Sequence, residues 1–157
     1  MGVEIERKFL VRRDKWETLA KPNPNYFIQG YLHSDADKTI RVRATDDKGF
    51  ITIKGKSSAD GLSRTEYEYE ISKVEAVALL SNFTTKTIEK KRYEISVDGN
   101  IWEVDVFEGE NAGLIVAELE LEHVDQLFSK PDWVATEVTG DVKYFNSFLI
   151  HSPFTNW

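Results

Sequence analysis

Val3-Glu4-Ile5-Glu6-Arg7-Lys8-Phe9-Leu10-Val11 sets Val3 and Ile5 on one parity and Glu4, Glu6 and Lys8 on the other. Successive side chains of a strand point to opposite faces, so this stretch predicts a β-strand with one apolar and one charged face. The same reading extends to seven further segments: Tyr26–His33, Thr39–Ala44, Phe50–Lys56, Arg64–Ile71, Thr87–Val97, Ile101–Phe107 and Leu114–Glu122. Between them lie turn-forming runs at 46–49, 57–61, 98–100 and 109–113, of which Asp98-Gly99 is the strongest hairpin signal. Helical patterning is sparser, at Asp14–Ala20, Lys73–Asn82 with Ser72 as its cap, His123–Ser129 and Asp141–His151. The expectation is a mainly β chain of one domain, 1–157, with eight mostly antiparallel strands and a few flanking helices.

The charged face repeats from strand to strand. Arg41 and Arg43 share a parity, as do Lys54 and Lys56, Glu66, Glu68 and Glu70, Lys90 and Arg92, Glu103 and Asp105, and Glu118, Glu120 and Glu122. The opposite parity is largely apolar, as in Ile40 and Val42, Trp102 and Val104, or Leu119 and Leu121. Two architectures fit. In a sandwich the apolar faces pack on each other and the charges meet water. In a closed barrel the charges turn inward, and the apolar outside is covered by helices or by a second subunit. The barrel is the more expensive, because an isolated carboxylate moved into a dry interior costs on the order of 20 kcal/mol. An opposite charge at about 4 Å returns only about 4 kcal/mol at an effective dielectric of 20. Alternation and composition alone therefore favour the sandwich. A charged lumen must stay wet, and acidic and basic rows together suit a polyanion complexed with divalent cations.

Composition narrows the classes. The 157 residues include 41% hydrophobic and 12% aromatic residues, too many for a disordered chain, and hold no apolar run near the roughly 20 residues of a membrane span. Cysteine is absent, which removes disulfides, thiol nucleophiles and cysteine zinc sites. With charges in MGVEIERKF where a signal peptide needs apolar residues, the expected location is the cytoplasm. A net charge of -7 argues against a general nucleic-acid binder. Carboxylates with only three histidines suit hard, oxygen-seeking cations, Mg2+ or Mn2+.

The string Glu4-Ile5-Glu6-Arg7-Lys8 resembles the ExExK signature of the CYTH superfamily, the triphosphate tunnel metalloenzymes. IRVR (40–43), ITIKG (51–55), RTEYEYEI (64–71), KKRYEI (90–95), WEVDVFEG (102–109), AELELE (117–122) and VTGDVKYFN (138–146) are similar to that family's segments and follow in its order. The resemblance implies a closed eight-stranded antiparallel barrel with the active site in its lumen, against the sandwich. It implies that Glu4, Glu6, Glu118 and Glu120 bind metal, and that Glu4, Glu6, Lys8 and Glu120 are catalytic. Lys8, Arg41, Arg43, Lys54, Lys90, Arg92 and Lys143 become substrate contacts. Glu66, Glu68, Asp105 and Tyr31 fill further inward positions. The implied activity is metal-dependent hydrolysis of a small triphosphate, foremost inorganic tripolyphosphate. Thiamine, nucleoside or RNA triphosphatase and class IV adenylate cyclase are the alternatives, and a polyphosphate-binding module is the non-enzymatic one. A homodimer is compatible with the apolar exterior.

Overall fold

Among the described residues nine strands join in one sheet that curls back to pair with itself. The computed structural model describes residues 2–157. In chain order it contains β1 Gly2–Val11, α1 Arg13–Thr18, β2 Asn25–Ser34, β3 Lys38–Ala44, β4 Lys48–Gly55, β5 Ser63–Ser72, α2 Lys73–Phe83, β6 Ile88–Val97, β7 Asn100–Phe107, β8 Ile115–Glu120, β9 Val134–Glu137 and α3 Asn146–Leu149. The hydrogen-bonded order is β5-β4-β3-β2-β6-β7-β8-β1-β9, and β1 also pairs with β5, which closes an eight-stranded antiparallel barrel. β1 can hold three neighbours because its length is divided. Residues 2–5 pair with β5, residues 6–10 with β8, and Phe9 and Val11 with β9.

The apolar faces point outward and are largely covered from outside, except where Val3, Ile53, Tyr67 and Tyr69 stay exposed. Phe9, Trp102, Val104, Ala117 and Leu119 pack beneath Trp16 of α1 and Trp133. Val42 and Ala44 lie under Ala76 and Leu80 of α2, and Ile88, Phe107 and Val116 under Leu149 and Ile150. Burying a side chain of this size stabilises by about 1.5–3 kcal/mol, so the stability of this fold resides largely in the shell around the barrel. Ser72 caps α2 in a reciprocal capping box with Glu75. Gly49 admits α2: a Cβ there would meet Ala76 Cβ at 2.5 Å and the Ser72 carbonyl at 2.7 Å. Asp98 and Gly99 both adopt positive φ, 49° and 80°, as the two-residue β6–β7 hairpin requires.

Three expectations are corrected. The sandwich does not form, because the charged faces turn inward. His123–Ser129 is not a helix: Phe128 is drawn into edge contacts with Phe9 and Trp102, while Val124 and Leu127 remain exposed, so the segment lacks a buried apolar stripe. Asp141–His151 breaks into a 3-10 turn at 142–144 and the short α3, since the Asp141 side chain accepts from the Lys143 amide and Phe145 is extended. β9 is an addition, four residues long and without a clear alternation. Among the described residues no helix is long and apolar enough to cross a membrane.

Candidate active site

Antiparallel register brings the inward residues into pairs. Glu6 faces Glu120 and Lys8 faces Glu118 across β1–β8, while Glu4 faces Arg64 across β1–β5. Lys54 faces Glu66, Thr52 faces Glu68, Arg41 faces Thr52 and Arg92 faces Asp105. These side chains enclose a lumen of about 250 Å³. Its lining includes Glu4, Glu6, Lys8, Tyr31, Arg41, Arg43, Lys54, Glu66, Glu68, Lys90, Arg92, Glu118 and Glu120, all expected from the sequence. Pockets for drug-sized organic ligands are usually about 300–1,000 Å³ and mostly apolar, so this lumen is small and of the opposite chemistry.

Ion pairs hold the walls in place. Lys54 Nζ lies 2.9 Å from Glu4 and 3.2 Å from Glu66. Arg41 donates to Thr52 Oγ1 at 3.1 Å, with Glu68 at 3.7 Å, and its buried Nε has no partner among the described residues. Arg43 donates to Gln29 at 3.2 Å and lies over the Phe27 ring. Lys8 donates to the Tyr144 carbonyl and reaches Glu118 only at 3.9 Å.

The carboxylates face one another closely enough to compete for protons. Burial would raise the Glu4 carboxyl, but hydrogen bonding with Glu66 and the Lys54 ammonium hold it well below the usual range. Glu66 is pushed up to about 7 by burial and by its hydrogen bond to Glu4. Burial and the Glu118 and Glu4 carboxylates push Glu6 far upward. Glu118 is held low against its burial by Lys8, Arg92 and Lys90. In each pair, Glu4 with Glu66 and Glu6 with Glu118, one carboxyl is pushed up while its partner is held low, a repulsion that a bound cation would relieve. Among the described residues no three carboxylates or histidines form a ready-made metal cage. All-oxygen donors in pairs fit Mg2+ or Mn2+, because Mg2+ is commonly held by one or two carboxylates and completed by water and phosphate oxygens.

Two expected residues stand elsewhere. Lys143 is outside the lumen, its ammonium 4.2 Å from the centre of the exposed Trp157 ring, because the helix expected to carry it inward is a capped turn. Asp105 is fully buried behind the wall, bound to Lys90 at 2.7 Å and to Arg92. The lumen also contains Thr39, Thr52, Arg64, Glu103, Phe145, Asn146 and Ser147. Thr39, Thr52 and Arg64 share the parity of charged neighbours on their strands and are legible from that, as is Glu103 from the parity it shares with Asp105. Phe145, Asn146 and Ser147 come from a segment without strand periodicity.

Fold and site together define a closed barrel built around a charge-lined tunnel. The sequence profile of the CYTH domain matches residues 2–145. An inorganic triphosphatase of Acetivibrio thermocellus is 49% identical over 158 residues, covering 100% of this chain and 99% of the relative. An inorganic triphosphatase of Nitrosomonas europaea is 38% identical, covering 93% and 95%. The crystal structure of the inorganic triphosphatase NE1496 superposes with a TM-score of 0.64 at 32% identity, covering 96% of this chain and 95% of that one. The chain belongs to the CYTH domain family.

Proposed function

We propose that this protein is a metal-dependent triphosphatase that hydrolyses inorganic tripolyphosphate to pyrophosphate and phosphate inside the barrel. The observation that carries this reading is the lumen itself, small and lined by opposed cationic and carboxylate rows, with the buried Arg41 Nε lacking an acceptor among the described residues. The names of the Acetivibrio and Nitrosomonas relatives support it.

Lys8, Arg41, Arg43, Lys54, Lys90 and Arg92 hold the phosphate oxygens, with arginine contributing paired donors and lysine point charge. Glu4, Glu6, Glu118 and Glu120 hold Mg2+ or Mn2+, with Glu66 and Glu68 beside them. When bound by these carboxylates, such a cation would supply charge neutralisation for the phosphoryl oxygens. Water attacks a terminal phosphorus, one P–O–P bridge opens, and the water proton passes to the carboxylate row while pyrophosphate leaves. Thiamine or nucleoside triphosphate is disfavoured because, among the described residues, the lumen offers an organic substituent only the rings of Tyr31 and Phe145, and Phe145 already lies under Lys8. We read residues 1–157 as one such domain, cytoplasmic by its cysteine-free composition.

The test is phosphate release from tripolyphosphate, ATP and thiamine triphosphate with Mg2+ or Mn2+, with and without chelator. Chelator-sensitive release from tripolyphosphate above the other two is expected. Tight tripolyphosphate binding without release would instead make the protein a polyphosphate-binding module.

A further inference from the structure

Asn146, in the C-terminal segment, enters the lumen and accepts two hydrogen bonds on one atom. Its Oδ1 lies 3.0 Å from Lys90 Nζ and 3.1 Å from Gln29 Nε2. Gln29 is fully buried, and its own Oε1 accepts from Arg43 Nε at 3.2 Å. Lys90 is also bound to Asp105, which in turn holds Arg92. A continuous chain, Arg43–Gln29–Asn146–Lys90–Asp105–Arg92, therefore ties the cations of β3 and β6 together through β2 and the C-terminal segment. These strands are neighbours in the order β3-β2-β6, so the network spans one side of the tunnel.

We infer that Asn146 is a positioning residue that aims the Lys90 ammonium, and through Gln29 the Arg43 guanidinium, at the bound polyphosphate. An ammonium has three N–H donors. Asp105 and Asn146 take two of them and fix the direction of the third, which is left for a substrate oxygen. Without Asn146 the ammonium retains one anchor and can swing toward Asp105 and away from the lumen. Gln29 then loses the acceptor for its amide N–H, and its bond from Arg43 alone is left to hold its orientation. An asparagine suits this role better than a carboxylate: it is neutral, so it aims the cations without repelling the polyanion they receive. Nothing in the strand alternation foreshadows it, since it lies in a non-periodic segment.

The inference rests on the tripolyphosphate reading, and a double-mutant cycle separates the two. Asn146→Ala, Lys90→Ala and the double variant are compared for KM and kcat with tripolyphosphate, and for metal-free tripolyphosphate binding by calorimetry. Asn146→Ala alone is expected to weaken binding and raise KM about tenfold, the size of one hydrogen bond to a charged group, with a smaller change in kcat. In the Lys90→Ala background the same change should have little effect, because the group it positions is gone. An equal penalty in both backgrounds would reduce Asn146 to a structural plug and overturn the inference. If Lys90→Ala itself left KM and binding unchanged, the failure would lie with the tripolyphosphate reading. Gln29→Met, a near volume-conserving change, provides a second arm should Asn146→Ala fold poorly. It should raise KM in the same way through Arg43, and an unchanged KM would count against the network.

Discussion

Asp105 grips Arg92 with both carboxylate oxygens, at 2.7 Å to Nε and 2.8 Å to Nη2, in a pair that is wholly withdrawn from solvent on the acid side. The same carboxylate holds Lys90, while Glu103 takes the remaining Arg92 Nη1 at 2.6 Å, so Asp105 is the only carboxylate bound to Lys90 among the described residues. Removing one member of a buried pair strands an uncompensated charge, at a cost of about 3–5 kcal/mol. Asp105→Ala should therefore lower the melting temperature by roughly ten degrees or more. Adding Lys90→Met should restore part of that loss. Equal melting temperatures for Asp105→Ala and the parent would show that the pair contributes nothing to stability.

Arg43 presents the opposite case. Among the described residues no carboxylate lies within ion-pair distance of it, and it faces the lumen beside Arg41 and Arg92, whose charges, after burial, depress its pKa. Arg43→Met should abolish most tripolyphosphate affinity while leaving the ligand-free melting temperature unchanged or higher, because a self-repelling charge is removed. Thermal melts with and without tripolyphosphate measure both effects. A large ligand-free loss would mean that Gln29 and Phe27 make Arg43 a structural residue.

Burial pulls the Lys90 ammonium down to about 7, with Arg92 and Arg43 adding to the depression and Asp105 opposing it. An unfolded lysine titrates near 10.4. The folded chain thus binds fewer protons than the unfolded chain between these values, and stability from this group rises with pH across that window. Below pH 7 both states carry the proton and the destabilisation is fully present. Chemical denaturation of the parent and Lys90→Met from pH 6.5 to 9.5 tests this. The parent should gain stability relative to the variant as pH rises, and parallel profiles would show an ordinary lysine.

How much of this was legible follows from which forces set each feature. Eight strands and the parity of Glu4, Glu6, Arg41, Lys54 and Glu118 are local consequences of a period of two, so they could be read directly. The direction in which the charged face turns is not local. Alternation is identical in a sandwich and a barrel, and only the resemblance of Glu4-Ile5-Glu6-Arg7-Lys8 and its companions pointed inward. β9 and the irregular run through Phe128 depend on tertiary contacts with β1 and Trp102 that leave no periodic trace. Lys143 and Asn146 lie three residues apart in one segment, yet the Asp141 cap turns the first outward and Phe145 extends the chain so that the second enters the lumen.

The two carboxyl pairs distinguish metal binding from anion binding. Glu6 faces Glu120 on β8 and is pushed upward by burial and then by Glu118 and Glu4, while Glu120 is pushed upward by burial and by Glu4 and Glu103. Glu6→Gln and Glu120→Gln keep size and hydrogen bonding but remove the charge a hard cation requires. Both variants should need more Mg2+ for half-maximal turnover and recover partly at high Mn2+. Arg92→Met should instead raise KM for tripolyphosphate at an unshifted metal requirement, since it removes a phosphate contact. Lys143→Ala, outside the lumen on the Trp157 ring, should change neither. Leu119→Ala, buried in the outer shell, should lower stability by about 2–5 kcal/mol and leave the metal requirement alone. Metal titrations of the five variants at saturating tripolyphosphate distinguish the roles. Curves for Glu6→Gln and Glu120→Gln that overlay the parent's would remove these residues from the metal site and leave the acidic rows as wall charges.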